Sequence, residues 1–378
     1  MLRLVLLTCI FLLVYVYVLY PVICVALGKA LRRGVRGAAI TPRITIITSA
    51  RNEEACIAKG IANKLQLDYS TDSFEVIVVS DGSTDGTDAA IQRAADMDGR
   101  VRYLRQEPRA GKTAALNAAA AVAKGEILVF ADANSLYAPD ALRKLAEPFA
   151  DPAVGYVTGK MVYLAPDGSM TGEACSLYMR YENFLRRHES AIGSIVGVNG
   201  GIDAIRASLY LRMRPDQQPD LVLPLSVVQR GARVVFVPGA IVFEESLSNP
   251  TDEFGMRIRV TLRAWHVLLD RLGLLNPLRY PLFAWQLWSH KWLRYFAPVF
   301  QMGALVGNVG MLGEGLVWDL LFAGQCLFYL VAALGVVWKS VPAPLSFPYY
   351  LCLLNGAAAV ALARLLLGHK QVTWSPRR

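Results

Sequence analysis

Glu75-Val-Ile-Val-Val-Ser-Asp-Gly-Ser-Thr-Asp-Gly-Thr87 joins a short apolar, β-branched run to a loop of glycine, hydroxyl and carboxylate residues. Such a run predicts a strand buried on both faces, as in a parallel sheet. Residues 44–47 and 127–130 repeat the pattern, and a segment of helical character follows each strand, at 53–66, 87–95 and 114–123. This alternation predicts an α/β fold with a parallel sheet, whose ligands bind beyond the C-terminal ends of the strands. Those ends carry Thr48-Ser-Ala-Arg-Asn-Glu-Glu54, the 80–87 loop and Ala131-Asp-Ala-Asn134, so carboxylates collect at one edge.

Better-known loops fit these residues less well. Asp81, Ser83, Asp85 and Gly86 imitate the start of an EF-hand, but its twelfth position is Gln92 and a strand, not a helix, precedes it. Gly111-Lys-Thr113 ends like a P-loop, yet Gln106 stands where the first glycine belongs. No GxGxxG follows a strand, which removes the main support for dinucleotide binding. The six cysteines form no CxxC and the four histidines no HxxxH, so neither a disulfide framework nor a zinc site is expected.

A chain of 378 residues has room for a domain of about 200 to 250 residues plus membrane segments. Its apolar residues gather at the two ends. The net charge of +9 sits beside them without an aromatic-basic groove, which favours a membrane surface and excludes nucleic acid as the expected partner. Residues 4–27 carry no charge and are long enough to cross a bilayer. Lys29, Arg32, Arg33 and Arg36 follow, favouring a cytoplasmic exit over signal-peptide cleavage. Further spans are expected at 293–312, 316–338 and 348–367. Trp285, Trp288 and Trp292 beside Lys291 and Arg294 predict an interfacial helix over 277–292, with cations reaching outward. The expected organisation is a first span within 1–28, a cytoplasmic domain over 41–270, the interfacial helix, and about three spans within 293–370. That count puts the C-terminus outside, whereas His369, Lys370, Arg377 and Arg378 favour the inside. Few charges fall within the spans, which argues against a transporter or channel.

Residues 46–54, 78–87, 111–117 and 129–134 are continued by Val198-Asn-Gly-Gly-Ile-Asp-Ala-Ile-Arg206 and Asp220-Leu-Val-Leu-Pro224. In that order they resemble a family-2 glycosyltransferase over about 44–265, and the flanking spans resemble members that build bacterial cell-surface polysaccharides. The resemblance implies a GT-A nucleotide-sugar-binding, Rossmann-like α/β domain combined with transmembrane helices. It implies inverting transfer from a nucleotide sugar, a UDP-sugar first, to a polysaccharide or lipid-linked acceptor at the bacterial inner membrane. By position, Ala50, Arg51 and Glu53 would contact the nucleotide, Asp81 the base, and Lys112 the phosphates. Asp132 with Asn134 would hold Mg²⁺ or Mn²⁺, and Asp220 would act as general base. Asn199, Gly200 and Gly201 would line the acceptor side, with Arg263 and Trp265 standing where processive relatives carry QxxRW.

These residue types suit those roles. Carboxylates accept from the N–H of a uracil and from ribose hydroxyls. A hard cation prefers carboxylate oxygen and neutralises a leaving diphosphate. A carboxylate can take the proton of an attacking hydroxyl. The sequence departs from the family at Asp132-Ala-Asn134, where DxD is usual, and at Arg263-Ala-Trp265, where the departure from QxxRW leaves repeated addition without support from this motif. Alternatives remain: Asp81 as a turn residue, Asp220 as a linker carboxylate, and Arg257, Arg259 and Arg263 as a basic helix on anionic headgroups. The whole chain could instead transfer one sugar to a polyprenyl phosphate or sphingolipid. It could also be an inactive subunit that organises other polysaccharide-synthesis proteins.

Overall fold

The computed structural model describes residues 1–164, 170–245, 249–337 and 343–371; Trp338, Arg377 and Arg378 of the expectations above lie outside them. Eight strands form one sheet: β1 (Ile44–Ala50), β2 (Phe74–Asp81), β3 (Val101–Gln106), β4 (Ile127–Asp132), β5 (Leu136–Tyr137), β6 (Val154–Leu164), β7 (Asp203–Arg206) and β8 (Arg233–Glu245). Their order is β3-β2-β1-β4-β7-β6-β8-β5. The first four are parallel, and β7 joins antiparallel between β4 and β6.

Every residue of β1 and β2 is buried, because helices cover both faces of the sheet. Alternate residues divide between two cores. Ile46, Val78 and Val129 pack with the helices Ile57–Leu65 and Thr87–Met97. Ile47, Val79 and Phe130 pack with Lys112–Val122 and Pro219–Gln229. Register pairs Ala50 with Ser80 and Ser49 with Asp132, so β1, β2 and β4 end level and their loops share one rim. The order of strands reverses beside β1, with β2 and β3 on one side and β4 on the other, and a crevice opens at such a point in folds of this class.

Among the described residues, three helices are long and apolar enough to cross a membrane: Leu2–Leu31, Leu316–Val336 and Ser346–Leu366. Leu4, Leu7, Phe11 and Val22 on the first, and Leu320, Leu327 and Leu330 on the second, are exposed on their outer faces. The span expected at 293–312 takes another form. It contains a 13-residue helix, Ala297–Val309, about 20 Å long against a hydrocarbon core of about 30 Å. That helix packs Ala304 against Leu6 of the first membrane helix. The expected interfacial helix also differs in aspect. Trp292 is buried against Trp265, and Lys291 and Arg294 face an internal cavity rather than reaching outward; Trp288 alone of the three tryptophans is exposed.

Candidate active site

A cavity of about 1180 Å³ opens at the strand rim and runs to the membrane helices. Asp132 is the last residue of β4, and Asn134 follows in the turn; both line the cavity. Lys112 enters from the first turn of helix Lys112–Val122, placing Nζ 2.6 Å from Asp132 Oδ1. Burial works against the Lys112 charge, but Asp132 and Asp220 outweigh it and hold the ammonium above its ordinary pKa.

Asp220 lies in the first turn of Pro219–Gln229, where the positive helix end favours a carboxylate. Burial nevertheless raises its pKa, Lys112 opposing and Asp132 adding to the rise. Its carboxylate packs on Gly200, whose φ of +86° and bare Cα permit the approach. Asn199 is fixed to β6, its backbone N–H donating to Thr158 Oγ1 at 3.3 Å and its Nδ2 to Gly159 O. Arg263 donates to Thr113 Oγ1 at 3.0 Å and to Gln217 O, clipping the Lys112 helix to the segment that precedes Asp220.

Glu53, Lys112, Asp132, Asn134, Asn199, Gly200, Asp220 and Arg263 thus share one cavity. Other expected site residues stand behind its wall. Asp81 is 2% exposed and accepts from Gln106 Nε2 at 2.5 Å, Ala110 N at 2.8 Å and Gly111 N at 2.9 Å. A carboxylate offers about four acceptor sites, and most are used in anchoring the loop that delivers Lys112. Asp81 therefore anchors that loop. Arg51 donates to Asp81 O at 3.4 Å, Ala50 is fully buried, and Gly201 accepts from the Tyr137 hydroxyl at 3.0 Å. Trp265, expected to stack on the acceptor, is 1% exposed among Trp292, Tyr295 and Phe296, with ring centroids 5.2 to 5.6 Å away. It is a core residue.

Residues 45–210 match the family model described as Glycosyl transferase family 2. The chain carries a family-2 glycosyltransferase domain. The β-monoglucosyldiacylglycerol synthase of Nostoc sp. (strain PCC 7120) is 28% identical over 167 residues, 44% of this chain and 36% of that protein. An N-acetylglucosaminyltransferase of Rhizobium leguminosarum bv. viciae is 26% identical over 239 residues, 59% of this chain and 54% of that protein. The chain thus spans about a third to a half of the length of these curated relatives. Among solved structures, a mannosyltransferase of Pyrobaculum calidifontis, in complex with GDP-Man and Mn²⁺, shares the fold with a TM-score of 0.74 at 23% identity. That similarity covers 97% of this chain and 99% of that one.

The glycosyltransferase domain also uses residues the sequence did not single out. Lys64, on the buried Ile57, Ile61, Lys64 stripe of its helix, donates to Ser135 O, and Ser135 Oγ donates to Glu244 of β8. Together they pin the Asp132–Asn134 turn from beneath. Burial lowers Lys64 to about 7 against the pull of Glu244 and Asp132. A lysine on an apolar helical stripe was the available signal. Asp203 lay inside a quoted motif; its Oδ2 accepts from Gly200 N at 2.9 Å, and burial together with the Asp220 charge pushes it up to about 7.

The expected donor pair, Asp132 and Asn134, is one carboxylate and one amide, and no group of three His, Cys, Asp or Glu residues among the described residues could hold a metal ion by itself. Such a pair fits a Mg²⁺- or Mn²⁺-sized cation that takes its remaining oxygens from a substrate diphosphate and water.

Proposed function

We propose that the protein is an inverting glycosyltransferase that moves a sugar from a nucleoside-diphosphate sugar, a UDP-sugar first, to an acceptor presented by the membrane. One observation carries this reading: Asp220 and Asp132 approach Lys112 in a cavity that continues to helices apolar enough to span a bilayer.

In this mechanism Asp220 accepts the proton of the acceptor hydroxyl as its oxygen attacks the anomeric carbon. The bond to the diphosphate breaks on the opposite face, so the centre inverts. Lys112 meets the charge that develops on the leaving diphosphate, and the N-terminus of its helix adds donors there. Asp132 and Asn134 would hold a divalent cation, which supplies further charge neutralisation when bound. Asn199 and Gly200 form the acceptor wall, where a missing side chain leaves room for a sugar or headgroup.

Among the described residues, two helices after the domain are long and apolar enough to span a bilayer, an arrangement that would keep Lys370 on the domain's side, as its charge favours. This supports an integral membrane protein with its domain in the cytoplasm, where nucleotide sugars are made. Transfer of a single sugar to a lipid-held acceptor is favoured over polymer growth, since Trp265 offers no exposed ring for a glycan.

The test is purified full-length protein in lipid, given UDP-sugars and GDP-sugars with Mn²⁺ or Mg²⁺ and membrane-lipid extract, beside Asp220→Asn. GDP-sugars belong in the panel because the mannosyltransferase of the same fold was solved with GDP-Man. Nucleotide release confined to the wild type supports the reading. Folded protein that releases nucleotide from no donor overturns it in favour of an organising subunit.

A further inference from the structure

At the membrane end of the cavity the charges do not balance. Glu182 and Glu189 come from the long helix Met170–Ile192 and share His290, with Nδ1 2.7 Å from Glu189 and Nε2 3.3 Å from Glu182. Arg294 lies 2.7 Å from Glu182, and Glu189 also accepts from the Tyr20 hydroxyl at 2.5 Å. Both carboxylates are therefore engaged. Among the described residues, Arg186 donates to neutral acceptors, Gly197 O and Asn183 Oδ1, each at 2.9 Å. Lys291 lines the cavity, and no hydrogen bond or ion pair engages its ammonium among the described residues. Burial lowers Lys291 to about 8, with Glu182 and Glu189 opposing the fall and Arg294 and Arg186 adding to it. Cations crowded in a concave, partly desolvated place without matching carboxylates make a site for an anion.

Position narrows what the anion belongs to. A Cβ on Gly197 would lie 2.9 Å from Lys291 Nζ, while one on Gly200 would meet the Asp220 carboxylate. Those glycines are separated by at most about 10 Å of chain, so the ammonium and the proposed base flank one short wall segment. On the other side, Arg294 stacks over Tyr17 of the first membrane helix at 5.7 Å, and Asn355 of the last membrane helix lines the same cavity. Resting on the transferase reading above, we propose that Lys291 and Arg186 form a subsite for the phosphate group of a phosphorylated membrane lipid, holding the acceptor beside Asp220.

Native mass spectrometry of the full-length protein tests this with dioleoylphosphatidic acid and dioleoylglycerol, which share their tails and differ in the phosphate. The wild type should retain the phosphatidic acid about tenfold better or more, the worth of one charge-assisted contact. Lys291→Met should lose that preference and Lys291→Arg should keep it. Equal retention of both lipids by the wild type, or an undiminished preference in Lys291→Met, overturns the subsite. Displacement by inorganic phosphate at the lipid's own concentration overturns the lipid assignment in favour of a free anion. Nucleotide-sugar affinity is measured on the same samples. A tenfold loss in Lys291→Met would assign the cation to the donor's diphosphate and overturn the subsite, whereas no donor binding even by the wild type would instead sink the transferase reading.

Discussion

The Asp220 carboxylate rests on Gly200 so closely that a Cβ there would lie 2.7 Å from Oδ2. Gly200→Ala must therefore displace the proposed base and also strain a backbone at φ +86°. We expect kcat to fall about 100-fold, the cost of misplacing a reacting group by about 1 Å, with donor affinity nearly unchanged. Asp220→Asn should cost about 10²- to 10⁴-fold in kcat with the donor still bound. Steady-state kinetics and donor calorimetry on the same preparations check both.

Lys112 is expected to act on the leaving group. Lys112→Met should lower kcat by about 10²- to 10³-fold and weaken nucleoside-diphosphate binding, with Lys112→Arg recovering part of each. A kcat that survives the methionine would remove the ammonium from the chemistry.

Asp203 links stability to pH. Its pKa is about 7 in the folded chain and about 3.9 when unfolded, so the buried neutral acid is the favoured form. The stability it contributes is complete below about pH 4, declines as pH rises, and is lost above about 7. Asp203→Asn mimics the neutral acid. Thermal unfolding at pH 5 and pH 8 should show a smaller drop in Tm for the variant than for the wild type.

Trp265 separates a core role from an acceptor role. Trp265→Ala should destabilise the protein by about 3 to 5 kcal/mol, and Trp265→Phe much less. A stable Trp265→Ala protein with a raised KM for acceptor alone would return this ring to the site.

The parallel half of the sheet was legible because strands covered on both faces must be mainly apolar, and 44–47 and 76–79 are. Asp132, Lys112 and Asp220 were legible because their motifs are local and each sits at the end of an element. The anchoring role of Asp81 was not legible, because an aspartate in a glycine-rich loop reads alike whether it faces a ligand or holds its own chain, and the Ala110 and Gly111 amides it accepts from lie about 30 residues away. The 285–294 aromatic-basic stretch misled because periodicity cannot say whether a face meets lipid or other protein, and here Glu182 draws Arg294 inward. Lys64 and Glu244 were hidden because they meet across about 180 residues of chain at Ser135.

Glu189 connects Tyr20 of the first membrane helix to His290 through one buried carboxylate. That joint works as a height gauge. Anchor and workshop are riveted together rather than tied by a leash, so in the proposed function the attack point would sit at a constant elevation above the lipid, and an acceptor would be served only if its own stem had the matching reach. Cutting the chain after Leu31 would take the hydroxyl donor from Glu189 and uncover Leu185 and Ile192, which pack against Tyr20 and Cys24, so a version lacking the anchor should be unstable as well as adrift.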